Sequence, residues 1–527
     1  MSKRTLSGLD ASFLYLETPE QPMHVASVCI YEVPARRKRS FVNDVRAHLK
    51  RRMHLAPLFG NVLAYAPYDL GHPHWEAAEH VDLDHHVQRI TLAKPGSMRQ
   101  LEAAVAKEHA KLMDRSRPLW QFTVFDGLEA GHIAFYGKVH HAALDGQGGV
   151  VLANAILDLS ETPREVPPPR PRALPVKTDL KIGEMIGAAF SNTLAQYAKI
   201  VKSIPTVAGA VAQAAAPVLK KAASQRSLPI DFAPRTPFNV NISAQRVFST
   251  ASLPSDRLRS LAKTLGGSLN DGVLFVCASA LRSYLKLHDA LPKKTLVAAI
   301  PVSLREESNK ELNNQASMVL AELGTHHGDA KKRWQAILTS TKKVKESLKS
   351  LKSVLPTDYP GLLAPLLVSR LNQTVASTKL LEKLPPVANV VISNVPGPQV
   401  PLYLSGARMM TFYPVSIIVH SIALNVTVQT YCGNVYFGVI ACKKAVPDLA
   451  KFTDAMHAGF DELIALAEAH EALAREREAE SLPLAREVKM AKSPKPSAAR
   501  AKPAASARQS SAGEARASAR KRARTAP

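Results

Sequence analysis

Apolar positions recur along most of the chain, and their spacing separates strands from helices. Met23 to Val33 alternates and is β-branched, which predicts a strand. Phe41, Val45, Leu49 and Met53 fall on one face of a helix over about 39–53. Leu101, Val105, His109 and Leu112 form a second helical stripe, stopped before Pro118. The segments PLWQFTVFDGL and Ile133–His140 read as two strands joined by a short connection, a hairpin. A helix follows Gly149 in VVLANAILDL.

The pattern breaks at Glu161–Pro175, where proline crowds the chain as in an extended linker. Residues 177–224 are Ala-rich and dotted with lysine, suiting a crossover or an interfacial helix. Regular patterning resumes at about Phe238. RVFSTASL is a strand, a helix begins at Ser255, and Ser268 caps another with Val273, Val276, Cys277, Ala280 and Leu281 on its buried stripe. TLVAAIPVSL, ASMVLAEL, VANVVISNV, LNVTVQTY and VYFGVIAC read as five strands, the last two flanking a CGN turn. Pro447 starts a long helix with Leu449, Phe452, Met456, Leu463 and Leu466 on one face. From about Ser481 the Ala/Ser/Pro/Lys/Arg composition predicts disorder.

This gives four expected regions: an N-terminal domain over 1–165, a Pro-rich and helical crossover over 166–237, a C-terminal domain over 238–478 and a basic tail over 479–527. The fold class is α/β, with strands and helices alternating in two similar halves.

Charge adds a preference for anionic partners. The chain of 527 residues carries a formal +24, of which residues 486–527 hold +10. The basic body would attract CoA phosphates, anionic headgroups or nucleic acid. The tail lacks interleaved aromatics and a nucleic-acid fold beside it, so no specific nucleic acid is expected. The four cysteines, Cys29, Cys277, Cys432 and Cys442, show no metal-ligand spacing and read as free, buried thiols. No metal and no cofactor are expected. No secretory h-region and no apolar run of roughly 18 residues stand out, so the expected location is cytoplasmic, on a membrane rather than across it. Thr341–Leu355 sets Val344, Leu348, Leu351 and Leu355 on one helical face among lysines, a solvated or membrane-facing helix.

The chemistry concentrates in HHAALDG, His140–Gly146. His141 stands where a strand ends, and its imidazole has an unperturbed pKa near neutrality, so the neutral ring can take a proton from a hydroxyl. Paired histidines alone say little, since His85–His86 and His326–His327 also occur. HHxxxDG in full would arise by chance in about one such chain in a thousand. Asp145 and Gly146 suit a tight turn beside the histidines.

HHAALDG resembles the HHxxxDG motif of the bacterial wax ester synthase/diacylglycerol acyltransferase family, within the CoA-dependent acyltransferases. GLDASFLYLET at Gly8–Thr18, Pro118–Leu119–Trp120, Asn270–Asp271, PVSLR at Pro301–Arg305 and SNVPGP at Ser393–Pro398 are similar to further family motifs, in order, over roughly 5–470. The resemblance implies two chloramphenicol acetyltransferase-like domains, with mixed sheets flanked by helices and an interfacial tunnel. It implies acyl transfer from acyl-CoA to diacylglycerol or a long-chain fatty alcohol without a covalent intermediate. His141 would be the general base and His140 a supporting residue. Asp145 and Gly146 would be structural, and Asn270 and Asp271 would support the site across the cleft. Pro118, Leu119 and Trp120, with Asn394, Pro396 and Gly397, are candidates for substrate contact. Two other readings stay open: a same-fold acyltransferase with another acceptor or thioester donor, and a non-catalytic lipid-surface protein. Peripheral contact with a membrane or lipid droplet is expected; the oligomeric state has no signature.

Overall fold

The computed structural model describes residues 4–34, 40–65, 72–144, 148–168, 232–303, 316–351 and 385–491. The N-terminal part supplies Arg4–Thr5 (β1), Gly8–Leu16 (α1), His24–Glu32 (β2), Phe41–Arg52 (α2), Asn61–Ala64 (β3), His74–Ala77 (β4), Leu83–His86 (α3), Val87–Thr91 (β5), Met98–His109 (α4), Trp120–Asp126 (β6), Ile133–His140 (β7) and Gly148–Ile156 (α5). The remainder supplies Arg246–Pro254 (β8), Ser255–Thr264 (α6), Leu269–Leu287 (α7), Val297–Ser303 (β9), Ala316–Glu322 (β10), Ala330–Leu351 (α8), Val390–Val395 (β11), Tyr403–Leu404 (β12), Ala407–Met409 (β13), Tyr413–Val415 (β14), Leu424–Tyr431 (β15), Asn434–Cys442 (β16) and Leu449–Ala491 (α9). The described residues up to Glu471 belong to one compact unit, and the end of α9 from Ala472 to another.

Two mixed sheets carry that first unit. One runs β12-β13-β2-β7-β6-β5, with β14 also on β2, and the other runs β10-β9-β11-β15-β16-β8. A small third sheet, β1-β4-β3, stands apart from both. The expected hairpin is present as antiparallel β6 and β7, with Trp120 opposite Val139. All five strands expected after Phe238 are present, and β15 and β16 close around Cys432–Gly433, both at positive φ. Two positive φ values in a two-residue turn match the twist of the strands they join.

Alternation decides where the second sheet buries its faces. On β16, Val435, Phe437, Val439 and Ala441 enter the core shared with α7 and α9. Tyr436, Ile440 and Cys442 point the other way, into the core of the first sheet. The two sheets are thus joined by side chains of one strand, as a period of two requires. Gly438 permits a still closer contact: a Cβ there would lie 1.6 Å from the carbonyl oxygen of Pro414 on β14.

Three differences from expectation have physical causes. Residues 403–415, expected wholly within the C-terminal domain, give strands to the first sheet: β13 and β14 both pair with β2. Strands of two or three residues are too short to show a period. Gly8–Leu16, to which the sequence pattern assigns no element, is a helix, α1, with the Ser7 hydroxyl accepting the Asp10 N–H at 3.1 Å. The expected tail boundary at 479 falls inside α9, which runs on to Ala491 through a stretch rich in Ala, Glu, Leu and Arg. Most of the expected crossover, residues 169–231, lies outside the described residues, as do 492–527 and Leu355. The described cysteines are all free; Cys432 is half-buried and the other three are buried.

Candidate active site

β7, an interior strand between β2 and β6, delivers the two histidines at its C-terminal end. Its last residue, His140, sits opposite His24 of β2, and its N–H donates to the Leu119 carbonyl at 3.0 Å. The chain then turns through one 3-10 turn, His141–Ala143. The His141 N–H donates to the Met23 carbonyl at 2.8 Å. Both peptide groups are therefore tied to neighbouring strands before either ring is considered. Asp145 and Gly146 lie outside the described residues.

The two rings have different duties. His140 is fully buried, and its Nδ1 accepts the Ala142 N–H at 3.1 Å. Its proton therefore belongs on Nε2, which faces Glu17 Oε1 at 3.3 Å. His141 is half-buried, and its ring stacks on Phe13 of α1, 3.9 Å between centroids and 16° between planes. Its Nδ1 is buried with no hydrogen-bond partner. Burial pushes the His141 imidazole down to about 4, so the ring is neutral at pH 7.

A buried polar cluster stands behind this turn. Burial alone would raise the pKa of Glu17, but His140 and Arg115 outweigh it and hold the carboxyl at about 2. Arg115 grips the second carboxylate oxygen with Nε at 3.0 Å and Nη2 at 2.7 Å. Lys138 is fully buried on β7 and donates Nζ to the carbonyls of Glu108 and Lys111, at 3.1 and 3.0 Å. A cation there suits the C-terminal end of α4. Burial brings the Lys138 amine down to about 8. His109 ties β7 to the residue that follows β14, with Nδ1 on the Tyr136 hydroxyl at 2.8 Å and Nε2 on the Ser416 carbonyl at 3.0 Å.

The remaining sequence candidates fall into two groups. Pro118, Leu119 and Trp120 are all buried. Leu119 packs with Leu14 and Ala142 beneath the histidine turn, and Trp120 stacks on His86 while donating Nε1–H to Phe59 O at 3.2 Å. Asn270, Asp271, Asn394, Pro396 and Gly397 lie on the second sheet's side. Asp271 is buried, and its carboxylate accepts from Ser268 N–H at 2.8 Å, Ser268 Oγ at 2.6 Å and Thr341 Oγ1 at 2.8 Å. These bonds make it a capping and packing residue. Asn394 Nδ2 approaches Asn270 Oδ1 at 3.5 Å, which brings the ND and SNVPGP motifs together. Pro396 is exposed, and Gly397 leaves room for Thr430: a Cβ would lie 2.0 Å from its carbonyl oxygen.

Phe13, Glu17, Arg115 and Lys138 were not identified from sequence. The available signal was the spacing of Phe13 and Glu17, four residues apart and therefore on one face of a helix. Two grooves open on described residues, of about 710 and 490 Å³, and both border α8. His141 lines neither, so neither is the expected tunnel. Among the described residues no group of three His, Cys, Asp or Glu side chains is arranged to hold a metal ion. No single described helix is long and apolar enough to cross a membrane.

Two mixed sheets carry a histidine pair at a strand end, and comparison with known proteins gives the family. Residues 6–273 match the wax ester synthase/diacylglycerol acyltransferase catalytic domain, and residues 312–464 match the WS/DGAT C-terminal domain. The chain belongs to the wax ester synthase/diacylglycerol acyltransferase family. It is 32% identical over 449 residues to the O-acyltransferase WSD of Acinetobacter baylyi, covering 84% of this chain and 93% of that protein. A probable diacylglycerol O-acyltransferase of Mycobacterium tuberculosis is 34% identical over 454 residues, 84% of this chain and 94% of its own length. The wax ester synthase/diacylglycerol acyltransferase of Marinobacter aquaeolei VT8 shares the fold, with a TM-score of 0.62 at 32% identity, over 88% of this chain and all of that one.

Proposed function

We propose that this acyltransferase moves a fatty acyl group from acyl-CoA to the free hydroxyl of diacylglycerol or of a long-chain alcohol, yielding triacylglycerol, wax ester or both. His141 is the general base. It takes the hydroxyl proton as the oxygen attacks the thioester carbonyl. The tetrahedral adduct collapses, the C–S bond breaks with its electron pair going to sulfur, and the imidazolium returns the proton to the CoA thiolate. General-base help of this kind is worth about 10²–10⁴-fold. The observation that carries the reading is the His141 ring itself, held neutral by burial at the end of a rigid strand.

A thiol-release assay with purified protein, acyl-CoA and either acceptor tests the reaction. Wild type releases CoA thiol with at least one acceptor, and His141→Ala does not. Equal release by both proteins would remove His141 from the chemistry. Product analysis with both acceptors present together gives the preference between them.

The same reading puts the protein in peripheral contact with a membrane or lipid-droplet surface. The support is its +24 charge and the exposed Met318 and Leu320 on the edge strand β10, beside Lys332 and Lys343 of α8. Flotation with anionic vesicles, lost with neutral ones or in high salt, is the expected result. Protein that stays at the bottom of the gradient with both would reject surface contact.

A further inference from the structure

We propose that Glu17 is a positioning residue for the reaction, acting on His141 through His140 and the Met23 peptide. The proposal rests on the reading of His141 as the base. Glu17 touches the histidine turn by two routes. Its Oε1 faces His140 Nε2 at 3.3 Å and also accepts the Met23 N–H at 3.1 Å. His140 uses its other nitrogen to hold Ala142, the residue that follows His141. Met23 uses its carbonyl to hold the His141 N–H. One carboxylate thus fixes the chain on both sides of the His141 ring.

The carboxylate suits this duty. Its side chain is only 3% exposed, so water does not compete for it. The fork of Arg115 fixes its second oxygen in orientation as well as charge. An anion facing Nε2 favours the tautomer with the proton on Nε2, which leaves Nδ1 free to accept the Ala142 N–H. The other tautomer would set two N–H groups against each other and open the turn. Phe13 of α1 lies against the His141 ring and Glu17 is the C-cap residue of the same helix, so this segment contacts both histidines.

A displacement of about 1 Å at a reacting group costs on the order of 10²-fold in rate. Glu17→Gln keeps the volume but removes the charge, and kcat falls on the order of 10-fold to 10²-fold while KM for acyl-CoA stays within about two-fold. The decisive measurement is a cycle with His140→Ala. If Glu17 acts through His140, the double variant loses little more kcat than His140→Ala alone. Independent, multiplying losses would overturn the proposal, as would a Glu17→Gln enzyme with wild-type kcat. Should Glu17→Gln not fold, Glu17→Asp keeps the charge for Arg115 while drawing it back from His140, and the same cycle applies. A purely structural Glu17 would lower the melting temperature without changing kcat per folded enzyme. His141→Ala assayed alongside separates the two levels. Turnover by that variant overturns both readings, whereas a dead His141→Ala beside a normal Glu17→Gln overturns the positioning role alone.

Discussion

His86 and His141 have much in common. Each is the second member of a histidine pair at the end of a regular element, and each ring lies flat on an aromatic neighbour. The centroids are 4.3 Å apart at 21° for His86 on Trp120, and 3.9 Å at 16° for His141 on Phe13. Burial pushes both imidazoles down to about 4. They part over their nitrogens. His86 is buried, and its Nδ1 is engaged by the Trp120 carbonyl at 2.7 Å. His141 is half-buried, and its Nδ1 has no hydrogen-bond partner among the described residues. A neutral imidazole with its pKa lowered by burial is therefore common to a packing histidine and a candidate base. What distinguishes the base is an imidazole with nothing yet to do, held by its backbone rather than by its ring.

The same substitution at both places would break or sharpen that contrast. His141→Phe keeps a ring against Phe13 but removes both nitrogens; kcat should fall about 10²–10⁴-fold in the thiol-release assay. Its unfolding free energy should change by less than about 1.5 kcal/mol, since no hydrogen bond is lost. His86→Phe should do the reverse. It strands the buried Trp120 carbonyl at a cost of about 1–3 kcal/mol in denaturant melts, with kcat per folded molecule unchanged. If His86→Phe lost activity at full stability, the division of labour between the two pairs would be wrong.

A smaller, graded effect follows from pH. In the folded chain His48, His86 and His141 sit at about 4 and His109 at about 3, each lowered chiefly by burial. Unfolding returns them to about 6.5. Below that value the unfolded chain binds protons that the folded chain refuses. Stability is thus fully present above pH 6.5 and declines as pH falls toward 4, which calorimetric melts across that range would record. Over the same range kcat/KM should hold below pH 6 and drop only as pH nears 4, if His141 is the base. A midpoint at 6.5 would mean a solvated imidazole does the work. Smallest of all is Asp271→Asn. It weakens the Ser268 cap and the Thr341 bond, for about 1–2 kcal/mol in stability with little change in kcat.

Much of this was legible in the chain. Period-two stretches such as LNVTVQTY and VYFGVIAC became strands because both faces of their sheet are buried. The strand ahead of the histidine pair was marked by its own residues and ends at His140. What stayed hidden depends on partners far apart in sequence. Glu17 and Arg115 meet across 98 positions, and nothing local marks that pairing. Lys138 alternates like an outward-facing residue yet is buried, because the end of α4 supplies carbonyls for its amine. Pro118–Leu119–Trp120 is buried, and a Trp whose indole N–H finds a carbonyl packs comfortably in a core.

The pairing of β2 with β13 and β14 also bears on how the chain is made. β2 leaves the ribosome early, yet Arg408 and Tyr413 are among the partners of its outer edge. At ordinary elongation rates the edge waits roughly 20–75 s for them. An open strand edge recruits other chains readily. Nascent protein held by a chaperone through that interval should reach the native sheet, and chains released before residue 403 should aggregate through His24–Glu32.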